Sequence, residues 1–241
     1  MNPIRIPMPL KKSNEKTDLT FKAYSAIRQM LFYNEIQPGQ KIKYKDLANR
    51  IGVSMTPVIQ ALKWLEFRNI VRHEPNKGYY INKVSLKEIT EVYNARLLIE
   101  VALVPDTMKN LNSTGIKKLK TAMDKYKGAV KEDNYYKRIM TDMEFHMCLA
   151  SLADSKIQLK MLQELFDVLL LRYSRNLYFS SVMDTSLKEH SDILKCLEQK
   201  DEQGVSKALT YHITIVRDHI IKGMSRLVVG TKEPFSDDYS F

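Results

Sequence analysis

Cysteine is nearly absent: Cys148 and Cys196 are the two thiols in 241 residues. Neither falls in a Cys-x-x-Cys spacing, which argues against a disulfide framework or a thiolate metal site and leaves two reduced core residues as the expectation. Glycine and proline are scarce too, at eight each, which excludes collagen-like and low-complexity chains and suits a helix-rich globular protein. No apolar run approaches the roughly 18 residues needed to span a bilayer. The opening MNPIRIPMPLKKSNEK has neither the continuous apolar core nor the small-residue cleavage site of a signal peptide. A cytoplasmic protein without a membrane partner is therefore expected. There is no nucleophile elbow and no glycine-rich phosphate loop, which removes two common enzyme classes.

What is abundant is positive charge, and it is unevenly placed. The net charge is +10, but residues 1–84 carry 15 Lys+Arg against 6 Asp+Glu while residues 85–241 carry 23 against 22. Nearly all the excess lies in the first third, as expected if that third meets a polyanion and the rest does not.

The first 17 residues have little periodicity and contain Lys11, Lys12 and Lys16, so they read as a flexible basic arm. From Thr20 to about Asn34, Phe21, Tyr24, Ile27, Met30 and Leu31 recur at three and four, one face of an amphipathic helix. QPGQ at 37–40 is a turn and KIKY a short strand. KDLANRIGVS gives a second helix, with Leu47, Ala48 and Ile51 inward, ending at Gly52. Ser54 is expected to cap a third, with Pro57 in its first turn and Val58, Ala61, Leu62 and Leu65 buried. IVRHE, PNKG and YYINKV then form a hairpin whose tip carries Lys77 and Gly78. Three helices and a hairpin make a winged helix-turn-helix over residues 18–84, a fold that lays its third helix in the DNA major groove and its wing on the backbone or in the minor groove. The groove side would present Ser54, Met55, Thr56, Ile59, Gln60 and Lys63, with Lys43, Lys45, Arg50, Lys77 and Gly78 available for phosphate.

Ser85-Leu-Lys-Glu88 is a capping box that opens the next domain without a linker. Helices are expected near 86–104, 114–131, 134–153, 155–179, 186–199 and 202–226, with further capping boxes at Ser155 and Ser186, and Pro105 ending or kinking the first. This all-α antiparallel bundle, residues 85–227, is followed by a flexible tail over 228–241.

Four polar residues interrupt the apolar stripes of the bundle. Asp142 and His146 are four apart, one turn above the other on an inward face, which is how a helix presents two ligands to one ion. His190 shares a face with Leu187, Ile193, Leu194 and Leu197, and His212 one with Leu209. The turn between the last two helices lies at QKDE, residues 199–202, and positions 190 and 212 are equidistant from it. In an antiparallel hairpin such residues lie at the same height, here about 16 Å from the turn at 1.5 Å per residue. If the helix bearing Asp142 and His146 packs alongside, three imidazoles and a carboxylate converge. Taken singly, each is a satisfied core residue; together they would be costly without a shared partner, and a divalent cation is such a partner. Three nitrogens and one oxygen suit zinc above all, with nickel, manganese or iron also possible, and leave room for a water or a ligand carboxylate. Around the centre, Arg96, Arg172, Tyr173, Asn176 and His219 are candidates to bind an effector, since an arginine fork fits a carboxylate.

QPGQKIKYKDLANRIGVSMTPVIQALKWLEFRNIVRHEPNKGYYI resembles the N-terminal domain of GntR-family bacterial transcription regulators. YNARLLIE, DMEFH, EHSDILKCLEQKD and ALTYHI look like landmarks of the FCD ligand-sensing domain of its FadR subfamily, and the count of about six helices looks like the shorter VanR-type version. The resemblance covers about residues 20–226. It implies that the positions of Asp142, His146, His190 and His212 hold the metal, that the protein is a homodimer on a palindromic operator in double-stranded DNA, and that a small organic acid is the signal. It also sets a departure: the family usually has arginines where this chain has Met55 and Ile59. Glutamine can pair with adenine, and Met or Ile can pack on a thymine methyl, so an A·T-leaning site with strong salt dependence is expected. Two rivals are a metal-dependent hydrolase and a winged-helix protein-interaction module built on Met55, Ile59 and Trp64. No general acid or base is evident beside the four ligands, which weighs against the first, and Trp64 reads as core or helix-edge packing, which weighs against the second.

Overall fold

The computed structural model describes residues 15–83, 85–172 and 183–230. The chain forms two compact units, the first ending at Val84 and taking in the chain near Leu170, the second beginning at Ser85.

In the first unit α1 (Glu15–Phe32), β1 (Lys41–Ile42), α2 (Tyr44–Ile51), α3 (Met55–Phe67), β2 (Val71–Glu74) and β3 (Gly78–Ile81) follow in order. Helix α1 starts inside the stretch expected to be an arm. Its expected stripe is the buried one: Tyr24, Ile27, Met30 and Leu31 are in the core, against Val58, Ala61, Leu62 and Leu65 of α3. Gly52 ends α2 in the left-handed region (φ 70°), and its amide and that of Val53 reach back to the Ala48 carbonyl. This closes the tight turn that sends the chain into α3. Ser54 occupies the N-cap position, but its side chain makes no capping hydrogen bond. The strands form one antiparallel sheet in the order β1-β3-β2, with Ile42 opposite Tyr79 and His73 opposite Tyr79 on the other side. The wing is thus a hairpin stiffened by a third short strand.

The second unit is helical among the described residues: α4 (Leu86–Ala102), α5 (Val104–Asn110), α6 (Ser113–Lys131), α7 (Tyr135–Ser151), α8 (Lys156–Arg172, whose last residues, from Leu170 on, belong to the first unit), α9 (Met183–Glu198) and α10 (Glu202–Gly230). The expectation of a mainly α protein, winged helix first and antiparallel bundle second, describes what is observed. Three details differ. Pro105 does more than end α4: it sits in the first turn of a new helix, α5, where its missing amide costs nothing. Ser85 does cap α4, accepting from the Glu88 amide at 3.3 Å. Ser186, however, lies inside α9, which starts at Met183, and Ser155 donates to the Gln158 side chain instead of capping through the backbone. The core joins Leu119, Ala122 and Met123 of α6, Phe145 and Leu149 of α7, Ile193 and Leu197 of α9, and Val205 and Leu209 of α10.

The turn between α9 and α10 is built closely. Lys200 takes a left-handed backbone (φ 56°), and the Asp201 amide closes on the Cys196 carbonyl at 2.9 Å. Asp201 then accepts from the Gly204 amide at 2.9 Å, capping α10. A Cβ on Gly204 would fall 2.3 Å from Asp201 Oδ2, so any larger residue there has to displace the carboxylate that caps α10.

Candidate functional site

Helix α7 presents Asp142 and His146 one turn apart, α9 presents His190, and α10 presents His212. One ligand atom from each lies within 4.8 Å of the others. The hairpin geometry holds: the rings of His190 and His212 face each other at 4.5 Å between centroids, and His146 stacks on His212 at 5.0 Å. The three imidazoles are buried and Asp142 is half-buried.

The hydrogen bonds decide what this cluster can hold. His146 Nδ1 lies 2.5 Å from Glu100 Oε2 on α4, and His212 Nδ1 lies 2.7 Å from Glu189 Oε2 on α9. A carboxylate only accepts, so both Nδ1 atoms carry the proton and donate. Each Nε2 is therefore a lone-pair acceptor. These two acceptors point at each other across 3.1 Å, His190 Nε2 is 3.4 Å from that of His146, and Asp142 Oδ1 is 3.3 Å from His190 Nε2. Acceptors in contact repel unless a cation sits among them. Protons are a poor choice: burial, then the neighbouring imidazoles, push His190 well below the usual histidine pKa, and burial lowers His212 as well. Three carboxylates (Asp142, Glu100, Glu189) and one guanidinium (Arg96) surround these nitrogens, so acidic groups outnumber the guanidinium beside the acceptor atoms. The donor set fits a divalent metal.

Arg96 extends the cluster. It is 2 % exposed, its Nε donates to Glu100 Oε1 at 2.9 Å, and its guanidinium lies over the rings of Phe166 (4.5 Å) and Tyr93 (5.1 Å). Burial opposes its charge, but Glu100, Tyr93 and Asp142 together hold its pKa above the ordinary value. Conversely, burial would raise Glu100, yet His146 and Arg96 hold it down to about 2. Arg96 Nη2 is buried with no hydrogen-bond partner among the described residues. A buried, charged, unspent donor beside a metal-type cluster is suited to an anion.

Glu100 and Glu189 were not singled out from the sequence, and with them the statement that no acid or base stands beside the ligands fails. Both are spent, however, on holding histidines. Glu100 had a signal, since it lies four residues after Arg96 on the same face. Glu189 precedes His190 yet serves His212, which adjacency in sequence conceals.

The other effector candidates fare differently. His219 is half-buried, and its Nδ1 is 2.9 Å from the Ile215 carbonyl of its own helix. Arg172 is buried and donates to the Lys83 carbonyl at 2.7 Å. Tyr173 and Asn176 lie outside the described residues.

In the first unit, Ser54, Met55, Thr56, Gln60 and Lys63 on α3 are exposed and Ile59 is half-buried. Gln60 is not a free reader: its Oε1 accepts from the Thr20 hydroxyl at 2.8 Å, which orients the amide. Lys43 and Lys45 stand exposed at the start of α2. Arg50 is paired with Glu35, and Lys77 lies 3.5 Å from Glu74. Gly78 takes a positive φ of 96° after Asn76 (62°), which forms the tip of the wing. Trp64 packs edge-on against Tyr24 at 5.8 Å while remaining partly exposed, so it lies at the helix edge.

Comparison with known proteins agrees with both units. Residues 19–81 match the bacterial regulatory proteins of the gntR family, and residues 91–214 match the FCD domain. The HTH-type transcriptional repressor RspR of Escherichia coli (strain K12) is 23% identical over 201 residues, covering 82% of this chain and 86% of RspR. The HTH-type transcriptional regulator McbR of the same organism is 22% identical over 208 residues, covering 84% and 92%. The solved structure of E. coli McbR/YncC superposes with a TM-score of 0.72 at 20% identity, over 87% of this chain and 98% of that one. A GntR regulator from Rhodococcus sp. RHA1 gives the same TM-score at 18% identity, over 85% and 98%.

Proposed function

Because the chain belongs to the GntR family of bacterial transcription regulators and carries an FCD domain, we propose that it is a metal-dependent sensor of a small organic acid that alters the binding of a homodimer to a palindromic operator. Its relatives are regulators, and the hydrolase reading falls with that. No described helix is long and apolar enough to cross a membrane.

The observation that carries the reading is the convergence of four lone-pair donors with the unpartnered Nη2 of Arg96 close by. Asp142, His146, His190 and His212 would hold the metal, with zinc, nickel, manganese and iron all suited to three imidazoles and a carboxylate. Bound there, the metal would supply a positive centre for an oxygen of the effector. Arg96 would take a carboxylate oxygen through Nη2, and the aromatic faces of Tyr93 and Phe166 hold that guanidinium in place. Effector binding shifts the balance of bundle conformations only if one conformation binds it better, and a dimer reads that shift as a change in how its two wings meet the half-sites.

On the DNA side, Met55 and Ile59 favour thymine methyl contacts, with Thr56, Gln60 and Lys63 beside them and Lys43, Lys45, Arg50, Lys77 and the backbone at Gly78 for phosphate. An A·T-leaning palindrome is expected from selection of random duplexes on metal-loaded protein. Operator affinity is then measured across a panel of small carboxylates. A G·C-rich consensus would overturn the DNA-reading assignment, and operator affinity indifferent to every acid in the panel, with metal bound, would overturn the sensing assignment.

A further inference from the structure

Two buried carboxylates flank the cluster without contributing an atom to it, and they are not placed alike. Glu100 comes from α4 and shares itself between Arg96 Nε (2.9 Å) and His146 Nδ1 (2.5 Å). Glu189 comes from α9 and holds His212 Nδ1 at 2.7 Å on the facing helix α10. The third imidazole has no such partner: His190 Nδ1 is buried without a hydrogen bond, and its ring is held by Phe145 at 4.6 Å and Tyr126 at 4.9 Å.

A neutral imidazole can carry its proton on either nitrogen, and only the bare one binds a metal. Which one is bare is set by the partner of the other. With carboxylates against Nδ1 of His146 and His212, the proton has nowhere else to go, and both Nε2 lone pairs are turned inward before any ion arrives. The carboxylates also make the imidazoles more basic donors.

We propose that Glu100 and Glu189 are positioning residues of the metal centre, each fixing one histidine in the tautomer and orientation that offers Nε2, while His190 is oriented by aromatic packing alone. This rests on the reading of the four residues as a metal site. It assigns to α4, which contributes no ligand, a direct hold on metal affinity through Glu100.

The test uses the full-length protein, stripped of metal, titrated with Zn(II) in competition with a chromophoric chelator and with Co(II) read by its visible absorption. E189Q and E100Q keep the side-chain shape and remove the charge. Each is expected to weaken Zn(II) binding about 10–100-fold and to shift the Co(II) band. E189Q should melt like the wild type in the absence of metal, since the glutamine amide can hydrogen-bond His212 Nδ1 either as acceptor or as donor, and for that same reason no longer dictates which ring nitrogen carries the proton. E144Q, an exposed residue of α7, should change neither readout. Because E100Q strands Arg96 and can fail to fold, E189Q alone is sufficient to decide. Wild-type binding with E189Q binding within twofold and an unaltered Co(II) band would overturn the proposal, as would weaker binding explained by a lower metal-free melting temperature with the band unmoved. A wild type that binds neither ion would instead overturn the metal site itself.

Discussion

The two units differ in how their ion pairs are set. In the first, Arg28 is buried over the Tyr24 ring, but these ion pairs lie at or near the surface: Arg50, with 57 % of its side chain exposed, pairs with Glu35, Lys77 with Glu74, and Arg72 with Glu74. In the second, Arg96 and Glu100 are each 2 % exposed and continue into His146. A surface pair contributes little and can exchange its acid for a phosphate. A buried chain cannot exchange anything without leaving a charge stranded. The DNA-facing unit is therefore adaptable in its contacts, and the buried part of the bundle is committed to one arrangement.

That contrast can be broken or sharpened by measurement. The largest effect is expected from Arg96→Ala, which leaves Glu100 buried without its cation and should cost about 3–5 kcal/mol of stability in denaturant unfolding. A change below about 1 kcal/mol would mean that the buried chain is no more committed than the surface pairs. Next, if the bundle is tuned to a divalent ion, saturating the stripped protein at a hundredfold excess over Kd should stabilise it by about 2.7 kcal/mol, seen as a rise in Tm. An unchanged Tm at metal concentrations shown to occupy the site would break the link between the ion and the fold. Gly204→Ala should cost on the order of 1–2 kcal/mol in the same assay, because the methyl displaces the Asp201 cap of α10. Arg50→Ala should cost about 0–1 kcal/mol, with its effect appearing instead in DNA affinity and its salt dependence. Smallest is Lys63→Ala: the slope of log affinity against log salt should fall by about 1 if Lys63 meets a phosphate.

Much of this was legible in the sequence because it is periodic. The stripes of α1 and α3, and the spacing of Asp142 from His146, follow from 3.6 residues per turn. The meeting of His190 and His212 follows from an antiparallel turn midway between them. What was hidden depends on facts a single helix does not carry. In sequence Glu100 carries no mark beyond its spacing from Arg96, and Glu189 reads as the far end of a capping box. Their role comes from which helix lies opposite, α7 for one and α10 for the other. Helix α5, seven residues long, is too short to show a period, and Pro105 marked only the break before it. Ser186 looked like a cap because its spacing to Glu189 is that of a capping box; both are instead inside α9, where Ser186 is buried and Glu189 holds His212. Nothing in the sequence said that Gln60 would be tied to Thr20, forty positions away.

The turn at Lys200 and Asp201 behaves as the zero mark of a ruler. Short surface turns usually absorb insertions and deletions, since their ends need only meet. Here one added residue would turn α10 by about 100° relative to α9 and carry His212 off the inner face, about 16 Å from the change. The loop is exposed, polar and far from the four clustered side chains, yet its length is specified as tightly as the identity of the histidines it brings together.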